Sequence, residues 1–420
     1  MHWCPPLVHP RAPSLRTIIA IGSGEILKLR LRTACLHFIV KCALRGGALS
    51  LPAASRTKCD SLEPMQMEEN RPLAPFTTFA IGGPARWLVE AASEPEIVEA
   101  VEWAGERGIP LFVLGGGSNV LMSDTGFAGL VLRIALRGIS TATTEGPGRV
   151  YCVAAGEPWE HCVQRALQDE CAGIECLSGI PGTAGGTPVQ NVGAYGQEVS
   201  SVVDRVRAFD LHARAFVELT AAECDFAYRR SRFNTSDRRR FIITRVDYRL
   251  RPGGAPTLRY PELQRAAEAM YPAGAGPTLA EVAGMVRDIR RAKGMLIVEG
   301  DPDCRSAGSF FKNPVVSAEL FEQVAVRSAA SPPRFPAGSG PQYAGLVKIP
   351  AAWLIEQAGF HKGSTLGAAG ISSRHTLALV NRGGASAAEI LALAEQISSA
   401  VETRFGIRLE REPVLVGFPA

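Results

Sequence analysis

Residues 308–314 bring a serine, a lysine and an asparagine together around two adjacent phenylalanines, a combination that could present a hydroxyl and an amide to a ligand. The closing proline cannot continue a helix and biases Asn313 towards extended backbone, whereas the opening glycine permits a positive φ angle. The side chains of Ser309, Lys312 and Asn313 should therefore point in fixed directions. The residues alone leave two interpretations open, a strand end with a tight turn or a rigid part of a binding site.

Two glycine-rich stretches upstream have the composition of loops that hold a polar ligand. The strand predicted at Leu111–Leu114 runs into residues 115–119, where three glycines let backbone N–H groups approach an anion and a serine and an asparagine follow. Residues 179–198 are too irregular for a helix or strand and too rich in glycine, amide and hydroxyl groups for a core element. Neither stretch matches the Rossmann fingerprint or the P-loop, so a flexible turn remains the alternative.

Arg229 is a candidate for binding a carboxylate. Six arginines lie between residues 229 and 240, and for residues 238–240 a solvated basic face is the favoured interpretation. Arg229 differs because it directly follows Tyr228 at the start of the run. Its planar guanidinium can pair with a carboxylate and stabilise negative charge that forms beside it.

The C-terminal tail supplies a second charged candidate. Residues 407–415 alternate apolar and polar side chains, which predicts a strand. Glu410 and Glu412 would then share the face opposite Ile407 and Leu409. One of these carboxylates could reach a site, the alternative being an exposed charge on a strand.

The composition is that of a globular chain with two or three domains. Hydrophobic residues make up 46% of the 420 residues and charged residues 20%, which suits a packed core. No apolar run is long enough to cross a membrane. None of the ten cysteines forms a CxxC pair, so no metal site is indicated, and reduced thiols favour a cytoplasmic protein.

Positive charge is concentrated at the N-terminus. Residues 1–64 carry nine Lys or Arg and three Asp or Glu, while the whole chain has a net charge of +4. A basic extension on a nearly neutral body does not indicate a nucleic-acid-binding protein, which carries a basic stripe on its folded part. Residues 1–70 show no sustained periodicity. We expect a disordered or organelle-directed extension or, in preference, translation from upstream of a start at Met65 or Met67.

Hydrophobic periodicity predicts the elements that position these candidates. Ser93 with Glu96 forms a capping box that opens one helix, and Trp159 and Cys162 should face the core from another. Helices are predicted at residues 93–108, 157–167, 278–293, 317–324, 350–359 and 386–405, and strands at residues 111–114, 120–121, 129–134, 377–380 and 407–415.

Four motifs occur in an order that resembles a known enzyme family. Residues 78–83 read Thr-Phe-Ala-Ile-Gly-Gly and residues 114–119 read Leu-Gly-Gly-Gly-Ser-Asn, and the stretches 179–198 and 308–314 follow. Together they resemble the UDP-N-acetylenolpyruvoylglucosamine reductases, flavoenzymes of peptidoglycan precursor synthesis, in the larger subgroup with a tyrosine-bearing loop. The resemblance runs from about residue 73 to residue 418.

The resemblance implies an α+β fold. Two α+β subdomains of the FAD-binding vanillyl-alcohol-oxidase/PCMH type would hold the flavin, and a C-terminal α+β domain would bind the substrate. The expected divisions are residues 71–135 together with the tail 413–420, residues 136–298, and residues 299–412, with residues 1–70 outside the fold.

The resemblance also assigns roles to individual residues. Ser309 would donate a proton, and Arg229 and Glu412 would act on the substrate carboxylate. FAD would contact Gly115, Gly116, Gly117, Ser118, Asn119, Gly182, Thr183, Asn191, Gly193, Ala194 and Tyr195. The substrate would contact Tyr228, Tyr260, Lys293, Asn313, Lys362 and His375, and either Phe335 or Tyr343 would lie near its uridine.

The implied reaction is the reduction of UDP-N-acetylglucosamine enolpyruvate to UDP-N-acetylmuramate, with FAD as cofactor and NADPH as hydride donor. The enzyme would be a cytoplasmic monomer that binds no nucleic acid, membrane or metal. Glu412 can act on a carboxylate only when protonated or bridged, so its pKa should be raised. His375 should hydrogen-bond rather than exchange protons. The alternatives are a flavin oxidoreductase that oxidises an alcohol and a catalytically silent UDP-sugar or flavin-binding protein.

Overall fold

A four-stranded sheet begins the fold in the computed structural model, which describes residues 65–143, 146–271, 276–328, 330–338 and 343–419. Strand β1 pairs antiparallel with β2, and β2 and β3 both run parallel to β5. The strands are β1 (Met67–Pro72), β2 (Pro84–Ala91), β3 (Leu111–Leu114) and β5 (Phe127–Ile134). The folded part thus includes residues before the expected boundary at 71, while the extension expected before residue 65 lies outside the described residues.

The chain returns to this region at its C-terminal end. Strand β4 (Val120–Met122) pairs in parallel with β20 (Val414–Val416) rather than with a sequence neighbour. Helix α1 (Glu94–Glu106) covers the four-stranded sheet and buries Ile97 against it. The predicted capping box is confirmed only in part, because the Ser93 hydroxyl accepts from the Glu96 N–H, whereas the Glu96 carboxylate accepts from the N–H of residue 92 instead of the Ser93 N–H.

A larger antiparallel sheet follows, in the order β12-β11-β13-β7-β6, with β8 pairing beside it on β13. Helix α2 (Trp159–Gln168) packs on this sheet. The strands are β6 (Ile139–Thr143), β7 (Arg149–Ala154), β8 (Cys171–Ala172), β11 (Val203–Asp210), β12 (Ala215–Thr220) and β13 (Phe241–Pro252). Between β8 and β11 lie short 3-10 helices, one of them at Ala184–Gly186, and the short hairpin of β9 (Gly193–Ala194) and β10 (Gln197–Glu198). The loop predicted at 179–198 therefore contains only short stretches of regular structure, none longer than three residues.

One hydrophobic core joins the two sheets. It combines buried residues of β2, α1 and β5 with those of β7, α2, β11 and β13. Trp159 and Cys162 both face this core, as predicted. The Trp159 indole donates from Nε1 to the Leu177 carbonyl at 3.0 Å and packs edge-on against Tyr248, so its one polar group is satisfied inside the core.

Two helices lead from the second sheet to the last part of the chain. Helix α3 (Pro261–Met270) begins after Tyr260, and helix α4 (Leu279–Ala292) begins at a capping box of Thr278 and Glu281 that confirms the sequence prediction. Their apolar faces form a small core of their own. Lys293 directly follows α4, so its side chain lies at a helix C-terminus, where a cation is favoured.

The last part of the chain combines helices with two small antiparallel sheets, ordered β14-β16-β15 and β17-β18-β19. The strands are β14 (Val315–Ser317), β15 (Phe335–Pro336), β16 (Leu346–Lys348), β17 (Thr365–Leu366), β18 (Ala369–Ile371) and β19 (Leu379–Asn381). The helices are α5 (Ala318–Ser328), α6 (Ala351–Gln357) and α7 (Ala387–Phe405). Their core also includes Phe79, Ile81 and Leu121 from the first part of the chain.

The strand predicted at residues 407–415 is wrong over most of its length, since only Val414–Val416 forms one. Ile407 and Leu409 are buried as the alternation requires. The two glutamates do not share a face, however: the Glu410 side chain is 72% exposed and that of Glu412 only 11%. Because this segment meets residues 310–312 through one isolated bridge, no sheet enforces the alternation.

Candidate active site

Nearly all of the predicted site residues line a cleft of about 1110 Å³. It is larger than the ~300–1000 Å³ that is usual for small-molecule pockets, and thus has room for a dinucleotide beside a second ligand. Both glycine-rich loops, residue 309, the turn at 228–229 and the tail at 412 line it. Of the predicted residues, Asn191 and Lys362 do not line it.

The two glycine-rich loops lie directly against each other. A Cβ on Gly116 would be 2.5 Å from the Gly182 Cα, and a Cβ on Gly117, whose φ is +63°, would be 1.8 Å from the Phe76 carbonyl oxygen. Glycine is therefore required at both positions. Two buried side-chain acceptors in these loops, Asn119 Oδ1 and Thr183 Oγ1, have no hydrogen-bond partner among the described residues. Buried polar atoms are normally paired, so these two atoms indicate a ligand that supplies polar groups.

Segment 308–314 is anchored by backbone hydrogen bonds of the residue that follows Ser309. The N–H of Phe310 donates to the Leu377 carbonyl at 2.7 Å, and the Phe310 carbonyl accepts from the N–H of Glu412 at 2.9 Å. Phe310 and Phe311 are buried and pack edge-to-face, so both rings help to hold this segment in place. Lys312, which had no predicted role, pairs with Glu410 at 2.5 Å. The result is a half-buried Ser309 hydroxyl at the wall of the cleft.

Tyr228 and Arg229 occupy the tip of a tight turn. The N–H and carbonyl groups of residues 227 and 230 bond to each other across it, and Arg229 has a φ of +52°, which is unusual for a non-glycine residue. The Arg229 guanidinium donates to the Gly193 carbonyl at 2.9 Å, and its Nε lies 3.1 Å from Oε1 of Glu412. That Nε is buried and pairs with Glu412 without an aligned hydrogen bond.

Asn191 does not contribute to the cleft as predicted. It is only 1% exposed, and its side chain bonds to Glu198, to the N–H of Ser200 and to the Ala227 carbonyl. All of its polar atoms are thus engaged within the protein. Asn191 holds the turn that carries Tyr228 and Arg229, and a deeply buried amide next to glycines can be mistaken for a ligand contact in the sequence.

Burial favours the protonated form of the Glu412 carboxyl. Removal of its carboxyl from water raises its pKa above the ordinary value, although Arg229 and Lys312 act in the opposite direction. The predicted direction is confirmed. Glu412 therefore holds its proton to a higher pH than an exposed glutamate does.

Two tyrosines and a lysine form the other end of the cleft. Tyr195 and Tyr260 meet edge-on with ring centroids 5.3 Å apart, and the Lys293 ammonium lies 5.8 Å and 6.0 Å from the two ring centroids. Lys293 also pairs with Glu262. Tyr195, expected at the cofactor, is thus grouped with two residues expected at the substrate.

His375 lies in this end of the cleft as a neutral group. Burial first, and then Lys293 and Lys362, lower the pKa of His375 to about 4, which agrees with a hydrogen-bonding rather than an acid–base role. Lys362 is exposed and acts on His375 through its charge without lining the cleft. Phe335 and Tyr343 do not line it either.

Comparison with known proteins shows to which family this chain belongs. The profile of the FAD binding domain matches residues 85–213, and that of the UDP-N-acetylenolpyruvoylglucosamine reductase C-terminal domain matches residues 301–416. A UDP-N-acetylenolpyruvoylglucosamine reductase of Streptomyces coelicolor is 45% identical over 89% of this chain and 94% of its own length. The enzyme of that name from Thermobifida fusca is 44% identical over 83% and 97%. The chain belongs to this family.

A solved relative supports the fold of the reductase. The crystal structure of UDP-N-acetylenolpyruvylglucosamine reductase from Thermus caldophilus is 26% identical, covers 84% of this chain and 98% of its own, and has a TM-score of 0.55. Together with the FAD binding domain match, it confirms the predicted α+β fold. Family membership also decides against the alternative of an alcohol-oxidising flavoprotein.

The glycine-loop end of the reductase fits FAD. The unpartnered Asn119 Oδ1 requires an N–H or O–H donor, while the Thr183 hydroxyl can donate or accept, and the flavin ring and ribityl chain of FAD carry groups of both kinds. A Cβ on Gly186 would meet nothing within 4 Å, so the backbone there faces open space. Beyond the loops, Phe112, Phe127 and Phe241 line the cleft and suit an aromatic base.

Several lining residues of the reductase were not predicted. Lys348 lies 4.6 Å from the Tyr228 ring centroid, and burial lowers its pKa. Arg290 is 7% exposed and holds the second glycine loop by donating to the Gly179 carbonyl at 3.1 Å. Arg238 and Arg239, predicted as a solvated face, line the rim of the cleft. Only the position of Arg290 within an amphipathic helix could have indicated a buried cation.

The described ranges of the reductase contain neither a helix that could span a membrane nor a candidate metal site. No helix there combines the length and hydropathy that a bilayer span requires. Within the same ranges, no group of three His, Cys, Asp or Glu side chains could hold a metal ion.

Proposed function

We propose that Ser309, Arg229 and Glu412 perform the chemistry of this reductase. The protein is an FAD-dependent enzyme that reduces UDP-N-acetylglucosamine enolpyruvate to UDP-N-acetylmuramate with NADPH, a step of peptidoglycan precursor synthesis. FAD, held by the glycine loops, supplies the hydride-transfer chemistry when bound. The protein's own residues bind and orient the substrate and move the proton.

Arg229 and Glu412 are assigned to the substrate carboxylate. Hydride addition to the β-carbon of the double bond places negative charge on the α-carbon and the attached carboxylate. The Arg229 guanidinium can stabilise that charge, since it lines the cleft beside Glu412. Glu412, with a raised pKa, can donate its proton in a hydrogen bond to a carboxylate oxygen.

Ser309 is assigned as the proton donor to the α-carbon. The observation that carries this assignment is the pairing of segments 310–312 and 410–412, where two backbone hydrogen bonds of 2.9 Å fix residues 309 and 412 relative to each other. A serine hydroxyl is a weak acid, but a carbanion-like enolate is a strong base, so proton transfer requires chiefly fixed geometry.

We assign the nucleotide part of the substrate to the far end of the cleft. Tyr260 is 39% exposed and Lys293 lies beside its ring, so an aromatic face and a point cation are both accessible to a UDP moiety. Tyr228, Asn313 and His375 complete the proposed contacts. Asn313 has a second task, because its Oδ1 accepts from the first N–H of helix α6 at 2.9 Å.

We further propose the division into residues 71–135 with 413–420, residues 136–298, and residues 299–412, with the first unit extended back to Met67 to include the whole of β1. Matches of separate profiles to residues 85–213 and 301–416 support a boundary before the substrate domain. Small soluble substrates support the proposal of a cytoplasmic enzyme, and a monomer remains part of the proposal.

Replacement of Ser309 by alanine tests the assignment. The Ser309→Ala protein should bind FAD and bleach its absorbance with NADPH as the native protein does, yet form no UDP-N-acetylmuramate. Ser399→Ala, in the exposed face of α7, is the matched control and should leave both activities unchanged. Product formation by Ser309→Ala at the native rate would refute the role of Ser309, and a colourless native protein would refute the flavin site.

A further inference from the structure

Asn119 connects three parts of the cleft. Its Nδ2 donates to Oε1 of Gln190 at 2.5 Å and to the backbone carbonyl of Glu412 at 3.3 Å. Its own carbonyl accepts from the N–H of Val414 at 3.0 Å. The side chain of the first glycine loop is therefore bonded both to the second loop and to the C-terminal tail.

The two acceptors around Nδ2 determine which way the Asn119 amide points. An amide nitrogen has two protons to donate and no lone pair to offer, and here it faces Gln190 and the Glu412 carbonyl. The opposite atom, Oδ1, is buried without a partner at the cleft. If the amide were reversed, Oδ1 would oppose two other oxygens, so the acceptor must face the ligand.

The same contact limits the freedom of Glu412. The N–H of Glu412 is bonded to Phe310, and its carbonyl is bonded to Asn119. Both backbone groups are thus fixed, one by the segment that carries Ser309 and one by the cofactor loop. The carboxyl is in this way held 3.1 Å from Arg229.

We propose that Gln190 is a positioning residue that couples the cofactor site to Glu412 through Asn119. The proposal rests on the function proposed above for Glu412. Gln190 lines the cleft in the second glycine loop, and its bond to Asn119 is the shortest that the Asn119 side chain makes. Without that acceptor the Asn119 amide can rotate, which removes the acceptor offered to the cofactor and the donor offered to Glu412.

Three variants of Gln190 test the coupling. Gln190→Met keeps the length and removes the acceptor, Gln190→Asn keeps the amide but is one methylene shorter, and Gln190→Glu keeps an acceptor at the same distance. In the first two variants we expect FAD to bind about tenfold more weakly, the effect of losing about one buried hydrogen bond. The Glu variant should stay within about twofold of the native protein.

Turnover at saturating FAD separates positioning from simple cofactor binding. Gln190→Met and Gln190→Asn should then bleach the flavin with NADPH normally but show a kcat for the enolpyruvyl substrate about tenfold lower, with KM nearly unchanged. Gln190→Glu should restore kcat. Native kcat in both disruptive variants would overturn the coupling, as would equal losses in all three variants. Circular dichroism melts identify a variant that does not fold, and the other disruptive variant then decides.

Glu412→Gln distinguishes failure of the coupling from failure of the proposed function. If Glu412→Gln alters turnover while the Gln190 variants do not, only the coupling is refuted. If Glu412→Gln has native turnover at every pH, the role of Glu412 itself is refuted, and the coupling with it.

Discussion

Gly116→Ala should weaken FAD binding without disturbing the rest of the fold. The new methyl carbon would lie 2.5 Å from the Gly182 Cα, 2.9 Å from the Gly182 carbonyl carbon and 3.1 Å from the Thr183 nitrogen. All three atoms are backbone, so no side chain can rotate away. The two glycine loops must separate, and overpacking of this kind costs about 1–3 kcal/mol.

This free-energy cost destabilises the conformation of the two glycine loops that binds FAD. If all of it is expressed in binding, the Kd for FAD rises by about 5- to 150-fold, at 1.4 kcal/mol per factor of ten. Apoprotein is titrated with FAD while the flavin fluorescence is followed, and the thermal midpoint of apo and FAD-bound protein is measured in parallel. The loss of stability should be larger for the bound form.

Gly105→Ala is the matched control. Gly105 lies in helix α1, and a Cβ there would meet nothing within 4 Å, so this change should stabilise the helix by about 0.5–1 kcal/mol and leave FAD binding unchanged. A native Kd for FAD in Gly116→Ala, with an unchanged midpoint of the bound form, would refute the close contact between the loops.

Three further predictions concern titrating groups. Because the pKa of Glu412 is raised and its protonated form is the one proposed to act, turnover should fall as the pH rises through that pKa, and Glu412→Gln should abolish this limb of the pH profile. Because His375 has a pKa of about 4, it is neutral above about pH 5, and His375→Gln should change kcat less than about threefold there; a lost limb near neutral pH would contradict this. Arg240 lowers the pKa of Asp210 to about 2, so Asp210→Asn should lower the free energy of unfolding in urea by about 2 kcal/mol at neutral pH. That difference is present above the ordinary Asp pKa and should vanish as the pH falls through about 2; a difference that persists there would contradict the ion pair as its cause.

Local signals in the sequence predicted much of the fold. The helix starts predicted at residues 93, 278 and 386 lie within a residue of those observed, where Ser93, Thr278 and Ser386 are the N-caps, because a cap is a contact between near neighbours. The prediction of a strand at 407–415 was wrong because strand pairing depends on residues that are distant in the chain. Alternation shows which side chains are buried, but whether a segment pairs into a sheet depends on a partner far away in the chain.

The site residues divide in the same way. The motifs correctly indicated that Ser309, Arg229 and Glu412 line one cleft. They could not show that the Asn191 side-chain amide is fully hydrogen-bonded to neighbouring residues. Lys348 was missed because it comes from a short strand with no motif of its own. Its proximity to Tyr228 arises only when distant parts of the chain pack together, and no local pattern records that.

The parallel pairing of β4 with β20 has a consequence for how the chain folds. During synthesis β4 leaves the ribosome long before β20 has been made. Strand β4 therefore cannot form this pairing until a strand separated from it by most of the chain has been synthesised. Contacts of such long range slow folding. The same tail carries Glu412 into the cleft, so the wall of the cleft is completed by one of the last segments to be made, and a chain cut short before Val414 would lack the strand that joins this tail to β4.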